Sequence, residues 1–548
     1  MALGMPAGAQ VLPGAVTPGR DRPGPATPPP QPDFDFSIVA PHRSPVPRAV
    51  DEVHFKLSGI MITGATTIAP TEFKPLWTGL IGKDVTLGDV LDIADKIEAA
   101  YRARGYLLVR AYVPPQRVAN GIFTINVVEG YLANVTVQGG DSDVRSQVHG
   151  YLRPATNARP LTVETIERGL LLTNDLPGIT ATGVLKPSPD TPGASDLVVD
   201  VSQPPVTGGL AVDNRGSRFS GLWTIAGDVE FNSIFGADQL AATVTLSPSS
   251  LEQVAGSLRY RTPIGDDGLI GSLIATVTHG EPGSSLTAFN VLTDSWAVGP
   301  RLTYPVIRTR EETLLLDGGF TVQDARVYIL GTGVSHDKWR VLDIGGTYQR
   351  ANILGGATWT TTFDLAQGIP GLDATDNHAP VASRAGALFD FTKATLFTRL
   401  SMPLADSFSA VLSAQGQYSL APLITGEQIT FGGTQIGRGY DPGAITGDHG
   451  VGGSAELRYD IRLNKDWVQA LEPYVYVDGA QTWYIQRGPA FSPALMNQNI
   501  ASVGGGVRFW LPYNITGAVE GSHTLHAVPG SDVGKESTKL LLDLAIRF

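Results

Sequence analysis

The run Gly437-Arg438-Gly439-Tyr440-Asp441-Pro442-Gly443 concentrates chemical capability within a few residues. It is too rich in glycine for a strand and reads as a loop whose backbone can turn sharply and lie close to a wall. A planar guanidinium such as that of Arg438 pairs bidentately with a carboxylate when both are confined, and such a pair holds a loop in place. The segment Tyr474-Val475-Tyr476-Val477-Asp478-Gly479 alternates, so Tyr474, Tyr476 and Asp478 share one face. On these residues alone, an ordinary surface loop with a solvated arginine is the stronger reading. Other chemistry is sparse. There is no Walker-A loop, zinc-helix motif, Rossmann fingerprint in a strand-turn-helix context, or nucleophile elbow. His523 and His526 are close in sequence but lack further ligands. The chain has no cysteine, which removes disulfides, thiolate metal sites and a cysteine nucleophile. The expectation is therefore a protein without a catalytic site, cofactor or metal.

The elements that must position the loop follow from composition and periodicity. The 548 residues carry a net charge of −12, which argues against a nucleic-acid binder relying on a basic surface. Glycine is abundant at 64 residues and charged residues make up only 17%. No run of about 18 apolar residues offers a transmembrane helix. From residue 206 to 548 the helical period gives way to alternating segments. Leu540, Leu542, Leu544, Ile546 and Phe548 share one face, and Lys539, Leu541, Asp543, Ala545 and Arg547 share the other. Likewise Leu457, Tyr459, Ile461 and Leu463 alternate with Glu456, Arg458, Asp460 and Arg462. A sandwich would bury the apolar face in protein; a membrane barrel turns it to lipid and the charged face to a watery lumen. Roughly 340 residues far exceed one sandwich, and suit about 16 antiparallel strands of ~10 residues plus turns. The terminal Phe548 closes an alternating strand and is expected to serve as a barrel assembly signal. Trp483, Tyr484, Trp510 and Tyr513 are candidates for an aromatic girdle.

Ahead of this region lie two small α/β units. Residues 51–131 predict the order β-α-α-β-β. Thr86 and Asp89 form a capping-box variant, and Leu87, Val90, Leu91, Ala94, Ile97 and Tyr101 make one apolar face. A strand is predicted over 107–113, with Leu108, Arg110 and Tyr112 on one face, and another over 122–128. Residues 132–205 repeat the order, with helices around 142–152 and 162–174, the second capped by Thr162. Residues 1–50 hold 12 prolines and few large apolar groups, which predicts a disordered or polyproline-like leader. Ala7-Gly8-Ala9 has the small-residue character of a signal-peptide cleavage end. Prolines 13, 18, 23, 25 and 28–30 exclude a useful helix, since each would cost ~3 kcal/mol inside one.

Several strings resemble one family. Val85-Thr86-Leu87, Tyr101-Arg102-Ala103-Arg104-Gly105-Tyr106, Pro114-Pro115-Gln116 and Val127-Val128-Glu129-Gly130 resemble the first POTRA domain of two-partner secretion transporters. These are the haemolysin-activator and filamentous-haemagglutinin transporter type. The string from Glu167 to Asp175-Leu176-Pro177-Gly178 is similar to their second POTRA domain, and Asp213-Asn214-Arg215-Gly216 through Gly221 to the opening of their barrel. The 437–443 run resembles the RGY loop of the wider superfamily.

The resemblance implies a transmembrane β-barrel preceded by two POTRA domains, in the outer membrane with the small domains in the periplasm. It implies a loop carrying Gly437, Arg438, Gly439 and Tyr440 that folds into the lumen, with Arg438 contacting Asp478 on the wall. It implies that the 107–113 strand lies at a sheet edge, where Leu108, Arg110 and Tyr112 would receive extended cargo by main-chain pairing. The implied partners are a large, β-helical secreted exoprotein, outer-membrane lipid, periplasmic chaperones and the barrel assembly machinery. Relatives often carry an N-terminal plug helix; the prolines predict none here, leaving the Arg438 loop as the main lumen obstruction. The rival readings are a barrel-assembly insertase and a porin with adaptor domains.

Overall fold

Alternating residues from 206 onward build a closed barrel of sixteen antiparallel strands, seen in a computed structural model that describes residues 12–20, 36–38 and 54–548 except 107, 119, 190, 192, 249–250, 378, 486–496 and 529–536. Each strand pairs with the next, and the first, Val206–Asp213, pairs with the last, Thr538–Arg547. One strand is interrupted at Asp460, between His449–Tyr459 and Ile461–Lys465. Side chains are sorted in reverse of a soluble protein. Val475, Val477, Leu540 and Ile344 are exposed outward, while Tyr474, Tyr476, Asp478, Asp343 and Glu456 are buried inside. Unpaired backbone is costly in lipid, and closure removes the sheet edge that would carry it.

The first small unit has a sheet in the order Gly59–Thr63, Ile122–Val128, Arg110–Tyr112, with the first pair parallel. Helix Leu87–Arg102 covers it. Thr86 and Asp89 form the reciprocal capping box, and Val90, Ile93, Ala94, Ile97 and Tyr101 fill the core. The second unit orders Thr180–Pro187, Ala194–Ser202 and Tyr131–Gly139 under helices Ser142–Asn157 and Val163–Asn174. The first of these helices runs past Pro154 because Tyr151, Leu152 and Ala155 bury together in the core. Thr162 precedes the second helix without a side-chain cap bond to its backbone, and its hydroxyl lies 3.2 Å from that of Thr165 instead.

The leader departs from the expected disorder. Phe36–Ile38 adds to the second unit's sheet as a strand parallel to Thr180–Pro187. Residues 12–20 lie inside the barrel. Their helical content is one three-residue 3₁₀ turn, Gly14–Val16, with Val16 buried. Prolines block helix but permit extended and 3₁₀ backbone, so the composition that excluded a helix did not exclude docking. Residues 1–11 and 21–35, and with them Ala7-Gly8-Ala9, lie outside the described residues.

Candidate functional site: the occupied lumen

The loop between strands Phe408–Ser419 and His449–Tyr459 turns back into the barrel. Within it Ile429–Phe431 pairs antiparallel with Ile445–Gly447. Ile429, Phe431, Ile436, Tyr440 and Ile445 pack on Ala480 and Ile500 of the wall, so an apolar contact sets the loop's depth. Gly437 has φ +83°, and a Cβ there would lie 2.4 Å from Ile500. The turn that presents Arg438 thus needs both the left-handed conformation and the absence of a side chain.

Arg438 is buried among wall groups. Its backbone N–H donates to Asp478 at 3.1 Å, and its Nε lies 3.5 Å from the same carboxylate. The shortest guanidinium bond goes elsewhere, to Glu456 at 2.7 Å, with Ser454 at 3.2 Å and Glu520 at 3.6 Å. The guanidinium stacks over Tyr476, 3.4 Å from the ring centroid. Asp478 also accepts from the Ser502 hydroxyl. The expected two-group pair is therefore a wider network, in which Asp478 holds the loop backbone and Glu456 the charge. Glu456 also binds Arg508 at 2.9 Å and Arg458 at 2.6 Å. Its inward phase was readable from alternation, but of its three arginine partners only Arg458 is on its own strand; Arg438 comes from the loop and Arg508 from another strand. The Tyr440 hydroxyl donates to the carbonyls of Ala501 at 2.9 Å and His526 at 2.7 Å, and Asp441 pairs with Lys539.

Two further segments share the lumen and were missed by sequence reasoning. The loop after strand Ala357–Gly368 sends Ala387, Phe389 and Phe391 against Trp339, Val341, Leu423 and Ile424. Its Arg384 binds Asp448, at the far root of the Arg438 loop, at 2.5 Å, and the carbonyl of Ile485 at 2.9 Å. The Trp339 indole N–H donates to Glu427 at 2.8 Å. The leader is the second segment. Gly14 crosses Gly443 so closely that a Cβ on Gly14 would lie 2.2 Å from the Gly443 carbonyl oxygen, and Arg20 donates to the Thr425 carbonyl at 3.4 Å. Among the described residues the Arg438 loop is thus one of three lumen occupants, so it does not obstruct the lumen alone.

The remaining predicted positions are divided. Arg110–Tyr112 is an edge strand, and Tyr112 is exposed. Leu108 lies before that strand and packs on the second unit's core, which removes it from the proposed edge face. Phe548 exchanges backbone bonds of 3.0 Å with Gly208, closing the end of the barrel nearest the small units. Tyr513 is exposed at a turn of that end, whereas Tyr484 turns inward, 4.9 Å from the Arg384 guanidinium, and is no girdle residue. The string Asp175-Leu176-Pro177-Gly178 meets the barrel. Asp175 takes two bonds of 2.8 Å from the nearly inaccessible Arg308, and Arg168 donates to the Pro305 carbonyl at 2.9 Å. Among the described residues no group of three or more His, Cys, Asp or Glu could hold a metal ion.

A sixteen-stranded barrel with an arginine-bearing loop in its lumen and small α/β units at its N-terminal end defines an outer-membrane POTRA-barrel protein. The chain belongs to the family described as haemolysin secretion/activation protein ShlB/FhaC/HecB, matched over residues 193–509, and its residues 55–130 match the POTRA domain of ShlB type. It is 22% identical to the heme/hemopexin transporter protein HuxB of Haemophilus influenzae strain 86-028NP, covering 84% of this chain and 81% of that one. It is 25% identical to the outer membrane transporter CdiB of Dickeya dadantii, covering 74% and 72%. For the hemolysin transporter protein HpmB of Proteus mirabilis the values are 24%, 77% and 75%. The fold is that of CdiB from Escherichia coli, with a TM-score of 0.71 at 20% identity over 93% of both chains.

Proposed function

We propose that this outer-membrane transporter of the two-partner secretion type takes an unfolded exoprotein from its POTRA domains and passes it through the barrel. The family is one of secretion channels, and the chain's part in it is conduction rather than chemistry on the cargo. The observation that carries this reading is the way the lumen is filled. Its occupants, which can leave without breaking the ladder between neighbouring strands, are loops and leader docked by side chains and, for the second loop, by backbone bonds such as that from the His336 N–H to the Val381 carbonyl. Extended cargo would first pair with the Arg110–Tyr112 edge, where main-chain bonds need no strict cargo sequence. Outer-membrane lipid would meet the apolar outer face. Periplasmic chaperones and the barrel assembly machinery would deliver the chain itself, with Phe548 as the assembly signal.

The test is secretion of the product of the neighbouring reading frame, if that frame encodes a large secreted protein, in cells with and without this chain. Loss of the exoprotein from the medium with retention in the periplasm is expected. Unchanged secretion, with only solute flux lost, would favour the porin reading. A crosslinker at position 110 should capture a cargo N-terminal fragment; adducts confined to the second POTRA domain would reject the edge as the capture site.

A further inference from the structure

The string Asp213-Asn214-Arg215 finds its role at the barrel seam. Backbone pairing between the first and last strands runs from Gly208 opposite Phe548 to Asp213 opposite Asp543, although the last strand extends to Thr538. Side chains continue the closure. The Asn214 carboxamide donates to the Leu540 carbonyl at 3.0 Å and accepts from the Leu542 N–H at 2.7 Å, while the Asn214 N–H donates to the Leu542 carbonyl at 3.2 Å. The amide group thus stands in for one more peptide unit of the ladder. Asp213 accepts from the Arg215 N–H at 2.8 Å, a local turn that carries Arg215 inward. There the guanidinium grips Asp543 through Nε and Nη2, each at 2.8 Å.

Arg215 reaches one group further. Its Nη1 lies 3.4 Å from Glu520, the same carboxylate that lies 3.6 Å from Nη1 of Arg438 and accepts from the Tyr474 hydroxyl at 2.6 Å. Glu520 is 1% exposed. A cavity of 420 Å³ opens beside these groups, lined by Asn214, Arg215, Arg438, Tyr440 and Lys539.

We infer that Asn214 and Arg215 are the positioning residues that close the seam, and that Glu520, shared by Arg215 and Arg438, makes the seam tighten when the lumen loop withdraws. The sign follows from Coulomb's law. Two cations share one buried carboxylate and repel each other, so removal of Arg438 leaves Glu520 wholly to Arg215. The coupling is reciprocal, because both groups act through one equilibrium. Its consequence for transport is directional. Clearing the lumen along the axis strengthens the wall against lateral opening into lipid, so an emerging chain is kept in the channel. The inference concerns the barrel alone and stands or falls apart from the identity or capture of cargo.

The test is hydrogen exchange on the full chain in detergent, read on peptides spanning 206–213 and 538–547, with Glu312–Ile329 as an unchanged reference. Arg438→Gln is expected to slow seam exchange about five-fold, the lower end of typical couplings. Arg215→Gln should speed it, and Arg438→Gln added to Arg215→Gln should change the seam no further. Seam exchange that speeds up or stays unchanged in Arg438→Gln overturns the inference, as does a slowing that persists without Arg215. If Arg215→Gln fails to assemble, Glu520→Gln takes its place, since the slowing must vanish there too. If neither assembles, the sign in Arg438→Gln alone decides.

Discussion

Glu456 serves three guanidiniums, of which Arg508 also holds Glu472 at 2.6 Å. Arg438 bridges from the loop, Arg458 from its own strand and Arg508 from a third element, each within 2.9 Å. Replacing Glu456 by Gln keeps the shape but removes the shortest ionic bonds of Arg438 and Arg458, leaving them only more distant carboxylates, a loss of about 3 kcal/mol, the lower figure for a broken buried pair. We expect Glu456→Gln to lower the temperature at which the folded barrel loses its compact gel mobility, and by more than Asp478→Asn does. Arg438→Ala should assemble and secrete poorly. Normal secretion with the loop displaced would reject a transport role for the pair. Glu129 carries a prediction of a different kind. Partial burial alone would raise its pKa, but hydrogen bonds from Thr66, Tyr101 and Thr67 outweigh that and hold it below the usual carboxylate range. A depressed folded pKa means that its stabilisation is complete above the unfolded value of about 4.3 and lost as pH falls through the folded one. Urea-dependent proteolysis of the first POTRA domain should therefore show Glu129→Gln weaker by about 1–3 kcal/mol at pH 7, with the gap closing toward pH 3.

Among the elements, helix Val163–Asn174 and the residue that follows it join the second POTRA domain to the barrel. Asp175 and Arg308 form a bidentate pair, with Glu167 accepting from the Arg310 N–H at 2.6 Å nearby. Breaking a pair this buried leaves a lone cation, so Asp175→Asn should loosen the junction rather than unfold either part. In the cysteine-free chain, spin labels at Lys186 and Asp406 would report this as a broadened distance distribution. An unchanged distribution would assign the pair to barrel stability alone. The elements themselves differ in how far sequence foretold them. Alternation in the last strand and in 456–463 announced the strands and which residues share a face, because a period of two leaves few alternatives; that the charged face meets a lumen rested on the length of the region as well. The capping box at Thr86 fixed a helix start for the same local reason. What sequence could not show was pairing at a distance. Nothing local marks Phe36–Ile38 as a strand, since its bonds come from residues 183–185. Nor does anything local distinguish Leu108, packed on the next domain, from Arg110 on the edge.

At the scale of the molecule, three described segments far apart in sequence share the lumen. Deleting residues 12–20 should raise single-channel conductance in planar bilayers, and deleting 434–443 should raise it further. No change on the first deletion would mean that the leader adds nothing to the seal made by the two loops. Arg384→Ala should loosen the second loop without freeing Arg438, because its anchors at Asp448 and Ile485 are separate from the Glu456 network.

The crossing of Gly14 over Gly443 also imposes an order in time. Residues 12–20 come to rest against Trp339, Thr425 and Gly443, groups that lie far along the chain from them. Contacts of such long sequence separation form late. The leader must therefore either be enclosed as the first and last strands meet or thread a barrel already shut. In the second case a shut barrel with an open throat precedes the plugged one; in the first, wall and plug are completed in a single event.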